Sequence, residues 1–415
     1  MRVVGLIVEY NPFHNGHLYH LQQAKKITNA DYVVAVMSGD FLQRGMPAIM
    51  DKWERTHMAI DNGVDLVIQL PTFFSTGSAE FFARGAIEIL NRLGIVDTIC
   101  FGSECGQVDL LKEIASVLVN EPPFFKESLM KHLGTGLSFP NARSKALVDY
   151  FSFIQEDHLE LIHVLNSPNN ILGIEYIKSL IESKSTIMPY TFKRKVSGYH
   201  DKSMEQNIAS ATGIRHFLNE SNALQDLMHT VPKATYRIMN QYHNKKFPLF
   251  IDDFSSYLFY KLLNASPKDL MKYVDVSEGL EDRILNYSKE CDCITTLIDR
   301  VKTKRFTYTR IQRALIHILL DIEQNDLDYY MSYNRMPYIK LLGFKKDSQR
   351  LLKSIKNNCD TPIVSNVNKG LQLLTTPALK MINKDIYASN LYNLAVFNKF
   401  KYPLKNDQTQ KFIIK

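Results

Sequence analysis

The first hundred residues alternate short β-branched runs with helical stretches, and this alternation constrains the fold more than any other feature of the chain. Strand runs lie at Val3 to Glu9, Tyr32 to Met37, Leu66 to Leu70 and Thr98 to Phe101. The segments between them, Gly16 to Ala30, Lys52 to Asn62 and Ala79 to Leu93, carry helical spacing. Such βαβ units predict a parallel sheet whose strands all end on one edge, because the crossovers are right-handed. Ligands of these sheets bind at that edge. A fifth strand is expected at Tyr190 to Val196, after a helix from about Ile171 to Ser183. Beyond about residue 220 the texture becomes helical, with examples at Phe254 to Leu263, Glu278 to Asn286, Thr309 to Leu320 and Asp347 to Lys356. The expected fold class is therefore α/β: a Rossmann-like parallel-sheet domain over residues 1–220, followed by a mostly α-helical domain over 221–415.

Charge divides along the same line. Residues 301–415 hold 20 Lys and Arg against 8 Asp and Glu, whereas residues 1–300 hold 30 against 35. A basic end on a slightly acidic body suggests a polyanion partner or a solvated basic surface. Five cysteines without paired zinc-type spacing favour a cytoplasmic protein, and Cys291-x-Cys293 alone is no metal site. The apolar run at the N-terminus is too short for a signal or a membrane span.

The chemistry gathers at the predicted edge. Glu9-Tyr10-Asn11-Pro12-Phe13-His14-Asn15-Gly16-His17 follows the first strand and opens a helix. Two imidazoles three residues apart at a helix N-terminus can bind phosphate oxygens together with the free backbone N–H groups. Gly16 would let backbone approach the ligand. A second loop, Met37-Ser38-Gly39-Asp40-Phe41-Leu42-Gln43-Arg44-Gly45, reaches the same edge, and Lys52 and Arg55 after it read as a solvated face or as added positive charge. Gly102, at the end of the fourth strand, would allow an adenine or ribose to lie on the backbone. Ser210 and Thr212, in Ile208-Ala209-Ser210-Ala211-Thr212-Gly213-Ile214-Arg215, can cap a helix and bind β- and γ-phosphates beside Arg215.

The His14-Asn15-Gly16-His17 segment resembles the His-x-Gly-His signature of the nucleotidylyltransferase superfamily. Together with the Met37–Gly45 loop and Ser167-Pro168-Asn169-Asn170-Ile171-Leu172-Gly173-Ile174-Glu175-Tyr176, it resembles more narrowly the tRNA(Met) cytidine acetate ligases of Gram-positive bacteria. The resemblance covers most of the chain. It implies a nucleotidyltransferase-like catalytic domain and a helical tRNA-binding domain. It also implies activation of acetate by ATP as acetyl-adenylate, then acetylation of N4 of the wobble cytidine of elongator tRNA(Met). ATP contacts would come from Ile7-Val8-Glu9-Tyr10-Asn11-Pro12-Phe13-His14-Asn15-Gly16-His17-Leu18-Tyr19-His20, Gly102, Asn169 and Arg194. His14 and His17 would be catalytic, and Asp40 would steady or deprotonate the cytosine amine. Mg²⁺ is expected only as an ATP counter-ion, without dedicated protein ligands.

The basic end supplies what such a partner needs. Lys302, Lys304, Arg305, Arg310 and Arg313 interleave with Phe306 and Tyr308 and enter an apolar helix. The cations would track phosphates while an aromatic ring stacks an exposed base; Arg335, Lys340, Lys345 and Lys346 would extend the surface. Two other readings compete with it: a small-molecule nucleotidyltransferase whose C-terminal half serves oligomerisation, against which the length speaks, and a non-enzymatic RNA-binding protein with a vestigial ATP site, against which the intact His14, His17, Ser210, Thr212 and Arg215 speak.

Overall fold

The structure, a computed structural model, describes residues 1–154, 161–194, 210–221, 223–333 and 335–415. His158, residues 195 and 196 of the fifth strand run, residues 198–201, and Ile208 and Ala209 lie outside them.

Among the described residues ten strands run in chain order: β1 Val3–Val8, β2 Tyr32–Ser38, β3 Phe41–Leu42, β4 Met46–Pro47, β5 Leu66–Leu70, β6 Thr98–Ser103, β7 Met188–Lys193, β8 Ile339–Phe344, β9 Ile363–Val364 and β10 Ile413–Ile414. The main sheet has the order β10-β8-β5-β2-β1-β6-β7, with β9 on β8. From β5 to β7 it is parallel, as the βαβ alternation requires. Helices α1 Asn15–Thr28 and α2 Lys52–Asp61 and the helix Ala79–Arg92 are the crossovers. Val34, Val36, Leu66, Ile68 and Ile99 pack with the Ala79–Arg92 helix in one core, while Val4, Leu6, Val33 and Ala35 pack with α1 and α2 in the other. The near-continuous apolar strands reflect burial on both faces.

The C-terminal half is mostly helical, yet it also completes this sheet. β8 lies antiparallel against β5, from Leu66 opposite Phe344 to Gln69 opposite Lys340, and β10 closes the edge on β8. All six residues of β8 are buried.

Buried charge ties the same region down. Lys340 is 2% exposed and pairs with Asp407, which corrects its expected place on an RNA surface. Lys52 and Arg55 are fully buried, so neither is a solvated face. The Lys52 ammonium lies 2.8 Å from Asp407 and 3.4 Å from Asp40. Arg55 donates to the carbonyls of Met50, Glu9, Ser38 and Gly39. A buried cation survives only when carboxylates or carbonyls surround it in this way.

Candidate active site

β1 delivers the His14-Asn15-Gly16-His17 segment to the parallel edge. Val8 pairs with Met37, so Glu9 leaves the sheet beside Ser38, the last residue of β2. Tyr10 then takes φ 49°, a left-handed conformation unusual for an aromatic residue. Arg55 holds the Glu9 carbonyl at 2.7 Å, and Arg215 holds the Asn11 carbonyl at 2.9 Å. Asn11 in turn accepts the Ile49 N–H, and the Glu9 carboxylate accepts the Gln43 N–H. The loop is therefore fixed from both sides before α1 begins.

The two histidines cap α1 themselves. His14 Nδ1 accepts the Gly16 N–H at 3.0 Å, and His17 Nδ1 accepts the His14 N–H at 3.3 Å. Both Nδ1 atoms are acceptors, so each neutral ring carries its proton on Nε2. The rings stack with centroids 3.8 Å apart, and Tyr10 and Phe13 pack against His17. Burial, reinforced by Arg194 and Arg215, pushes the His14 ring down to about 3. Burial also holds His17 well below the ordinary histidine range, with His14, His20 and Arg194 adding to it. At neutral pH the site thus presents neutral Nε2–H donors, and the fixed positive charge comes from arginines. His20 is lowered to about 4, chiefly by burial, and its Nε2 bonds the Cys100 carbonyl.

Arg194 continues from β7 across the end of β6. Its guanidinium donates to Asn169 Oδ1 at 3.1 Å, while Asn169 Nδ2 donates to Glu104 Oε1 at 2.7 Å. Glu104 also accepts the N–H groups of Asn169 and Asn170 at the start of helix Pro168–Glu182. Asn170 is buried and uses its Oδ1 on Glu104 and Cys105 N–H groups. Asn169, half-buried, is the one that faces outward with Arg194. Gly102 has a defined purpose: a Cβ there would stand 2.9 Å from Arg194 Cγ and 3.1 Å from Phe192 Cζ. The space over Gly102 therefore belongs to these two side chains. Glu104 was not singled out from sequence; an acid directly after a strand end gives no signal until Asn169 and Arg194 converge on it.

Ser210 caps helix Ala211–Glu220 through the Gly213 N–H, and Thr212 accepts from Arg215 at 3.1 Å. Asp40 has a different setting from the one expected. Its Oδ1 accepts the Lys52 N–H and its Oδ2 the Ser389 hydroxyl, in the buried group with Lys52 and Asp407. Both oxygens are occupied away from the histidines, so Asp40 shapes the loop.

The basic segment is also partly committed. Arg313 makes a two-pronged pair with Asp275 at 2.9 and 3.0 Å. Arg310 and Arg305 share Glu278, and Arg310 also bonds Ser277. Phe306 is 5% exposed, so it stacks no base; burial within the helical core takes it instead. Lys302 and Lys304 remain exposed, and Tyr308 is half-buried. Arg335 pairs with Asp360. His317 bonds the carbonyls of Val274 and Thr76 in the core.

Residues 1–408 match the HIGH Nucleotidyl Transferase family. The chain belongs to that family. It is 43% identical to the tRNA(Met) cytidine acetate ligase of Alkaliphilus metalliredigens, over 96% of this chain and 95% of that protein. With the ligase of the same name from Clostridium novyi the identity is 42%, over 96% of this chain and all of the relative. Among solved structures, Thermotoga maritima TmcAL bound with α-thio ATP superposes with a TM-score of 0.93 and 32% identity, over 100% of this chain and 99% of that one. Relatives this similar along nearly their whole length place the chain within the tRNA(Met) cytidine acetate ligases.

Proposed function

We propose that this protein activates acetate with ATP and acetylates N4 of the wobble cytidine of an elongator tRNA(Met) in the cytoplasm. The observation that carries the reading is the His14–His17 pair, whose Nε2–H groups are fixed as donors at a helix N-terminus beside Arg194 and Arg215. Acetate is a weak, resonance-stabilised nucleophile, so the first step needs positioning and charge neutralisation more than a base. An acetate oxygen bonds the α-phosphorus as the bond to the β-phosphate oxygen breaks, and pyrophosphate leaves with that electron pair. His14 and His17 donate to the α-phosphate oxygens as negative charge builds there. Arg215 and the N–H groups near Ser210 and Thr212 hold the outer phosphates, with Mg²⁺ as their counter-ion. Asn169 and Arg194, braced by Glu104, bind the nucleoside side.

In the second step the cytosine N4 forms a C–N bond to the acetyl carbon, the bond to the phosphate oxygen breaks, and AMP leaves. The N4 proton passes to the departing phosphate or to water. Residues 1–220 carry the adenylate chemistry in this reading and residues 221–415 present the tRNA, with Lys302 and Lys304 as its exposed cations. Arg305 and Arg310 contribute from their Glu278 pairs.

The test is incubation with ATP, labelled acetate and bulk tRNA. Acetate-dependent pyrophosphate release with label on tRNA is expected. Release that ignores acetate would overturn the reading.

A further inference from the structure

The turn after β2 is fixed from both sides. β3 and β4 pair Phe41 with Pro47 and Leu42 with Met46, and Gln43-Arg44-Gly45 joins them. Gly45 takes φ 72° and donates its N–H to the Leu42 carbonyl at 2.9 Å, the left-handed position that closes a short hairpin loop. The neighbours of Arg44 are all tied down. Phe41 and Leu42 are buried. The Gln43 N–H is held by the Glu9 carboxylate at 2.8 Å, and the Gln43 amide reaches the Gly77 carbonyl at 3.3 Å. On the other side the Gly45 backbone lies directly against Gln312 and Arg313 of helix Tyr308–Leu320. The hairpin tip therefore joins the loop that leads to His14 to the helix that follows Lys302 and Lys304.

Arg44 is the exception within this turn. Its side chain is exposed and, among the described residues, has no hydrogen bond or ion pair. Arg310 and Arg313, on the helix beneath the tip, are neutralised by Glu278 and Asp275, whereas Arg44 has no acid of its own. It also stands near a like charge. Burial pushes the Arg215 guanidinium down, the Glu9 carboxylate works against that, and Arg44 adds to it. Two guanidiniums close enough to oppose one another, one of them unpaired on a rigid turn, make a place that an anion relieves. Arg215 is the inner of the two, half-buried and tied to the Asn11 carbonyl and the Thr212 hydroxyl. Arg44 is the outer one, at the mouth.

We infer that Arg44 binds a backbone phosphate of the RNA beside the target cytidine and so positions the strand at the mouth of the adenylate cleft. The inference rests on the reading that RNA is the acetyl acceptor. A base that leaves its stack to reach the adenylate keeps a phosphate on either side of its ribose, so a cation is needed at the mouth as well as inside. The planar guanidinium fork matches two oxygens of one phosphodiester. Arg44 thereby continues, toward the reacting base, the track that begins at Lys302 and Lys304.

The test compares the full-length protein with Arg44→Gln and Arg44→Lys. Adenylate formation is read as acetate-dependent pyrophosphate release with hydroxylamine in place of RNA, which takes the acetyl group as acetohydroxamate and frees AMP. Transfer is read as label on tRNA at several salt concentrations. Arg44→Gln should leave the melting temperature, the adenylate step and the KM for ATP unchanged. It should raise the KM for tRNA about tenfold at low salt, as the loss of one charge-assisted contact implies. It should also lower the slope of log KM against log salt by about one, the mark of one phosphate contact. Arg44→Lys should restore the slope and part of the affinity, since it keeps the charge without the fork. A raised KM for ATP, or a loss of pyrophosphate release without RNA, would assign Arg44 to the outer phosphates of ATP and overturn the inference. An unchanged KM and salt slope for tRNA would make it a solvated surface cation. If the unaltered protein acetylates tRNA in either case, the Arg44 assignment alone fails; if it neither binds nor acetylates tRNA, the functional reading fails with it.

Discussion

At the scale of single residues, the functional content lies in which nitrogen of each histidine carries the proton. His14 and His17 spend Nδ1 on backbone N–H groups, so a substitution that keeps an acceptor at that position preserves the helix start while removing the donor. His17→Asn should therefore keep the helix start and fold, with a melting temperature lowered modestly by the lost ring packing, yet lose about 100-fold or more in acetate-dependent pyrophosphate release, as expected for one donor to a developing charge. The same burial sets a pH dependence. The folded pKa values of His14 and His20 are depressed to about 3 and about 4, below the 6.5 of an unfolded histidine, so the unfolded chain takes up protons first. Stability is then fully present above about pH 6.5 and falls as pH drops toward 4, by on the order of 1 kcal/mol per pH unit for each such ring. Thermal melts between pH 7 and 4.5 should show this slope, and His14→Asn should make it shallower. The motif itself was legible in sequence because its residue types and its place after a strand are both local. Glu104 and Arg55 were not, because their partners lie 65 and 46 residues away.

At the scale of elements, β1, β2, β5 and β6 and their crossovers were legible because burial on both faces writes itself into β-branched runs. β8 was not. Ile339-Lys340-Leu341-Leu342-Gly343-Phe344 sits in a stretch of helical texture, and a lysine in mid-run argues against a buried strand until Asp407 is seen to neutralise it. Helix Tyr308–Leu320 carries a related lesson. Gly45, at φ 72°, packs its backbone directly against Arg313, where a Cβ would come within 2.5 Å of the Arg313 nitrogen. This helix therefore buttresses the loop after β2, and Arg313 neutralises Asp275 within that contact. Arg313→Ala should destabilise the protein by about 1–2 kcal/mol, because it leaves the half-buried Asp275 without its two-pronged partner. A fall in melting temperature without tRNA reads this out. Lys302→Ala with Lys304→Ala should leave the melting temperature unchanged while weakening tRNA binding and lowering its salt dependence. Equal salt slopes for the unaltered and double-variant proteins would remove these lysines from the RNA surface.

At the scale of the whole molecule, the change of texture near residue 220 divides the sequence but not the sheet. Lys52, from the second crossover, and Lys340, from β8, meet on Asp407 near the C-terminal end of the chain. Burial opposes ionisation of that carboxyl, but Lys340 and Lys52 outweigh it and hold it down at about 2. Asp407→Asn should therefore loosen both halves in one transition, at a cost of roughly 3–5 kcal/mol. A fragment ending at residue 220 should fail to give a cooperative melt. The charge division along the chain keeps its meaning with fewer free cations than the count of 20 suggested, since Arg310, Arg313, Arg335 and Lys340 all have acidic partners.

The pairing of β8 with β5 also has a consequence for how the protein is made. Residues 66 and 344 are opposite each other in the sheet. At a synthesis rate of about 5–20 residues per second, β5 emerges roughly 14 seconds to nearly a minute before the strand that covers it. During that interval the nascent chain has an apolar parallel core whose β5 edge is bare, the kind of edge to which another chain can add a strand. Pauses that lengthen the interval should lower the soluble yield, and supplying residues 335–415 as a separate chain during synthesis of the earlier part should restore it.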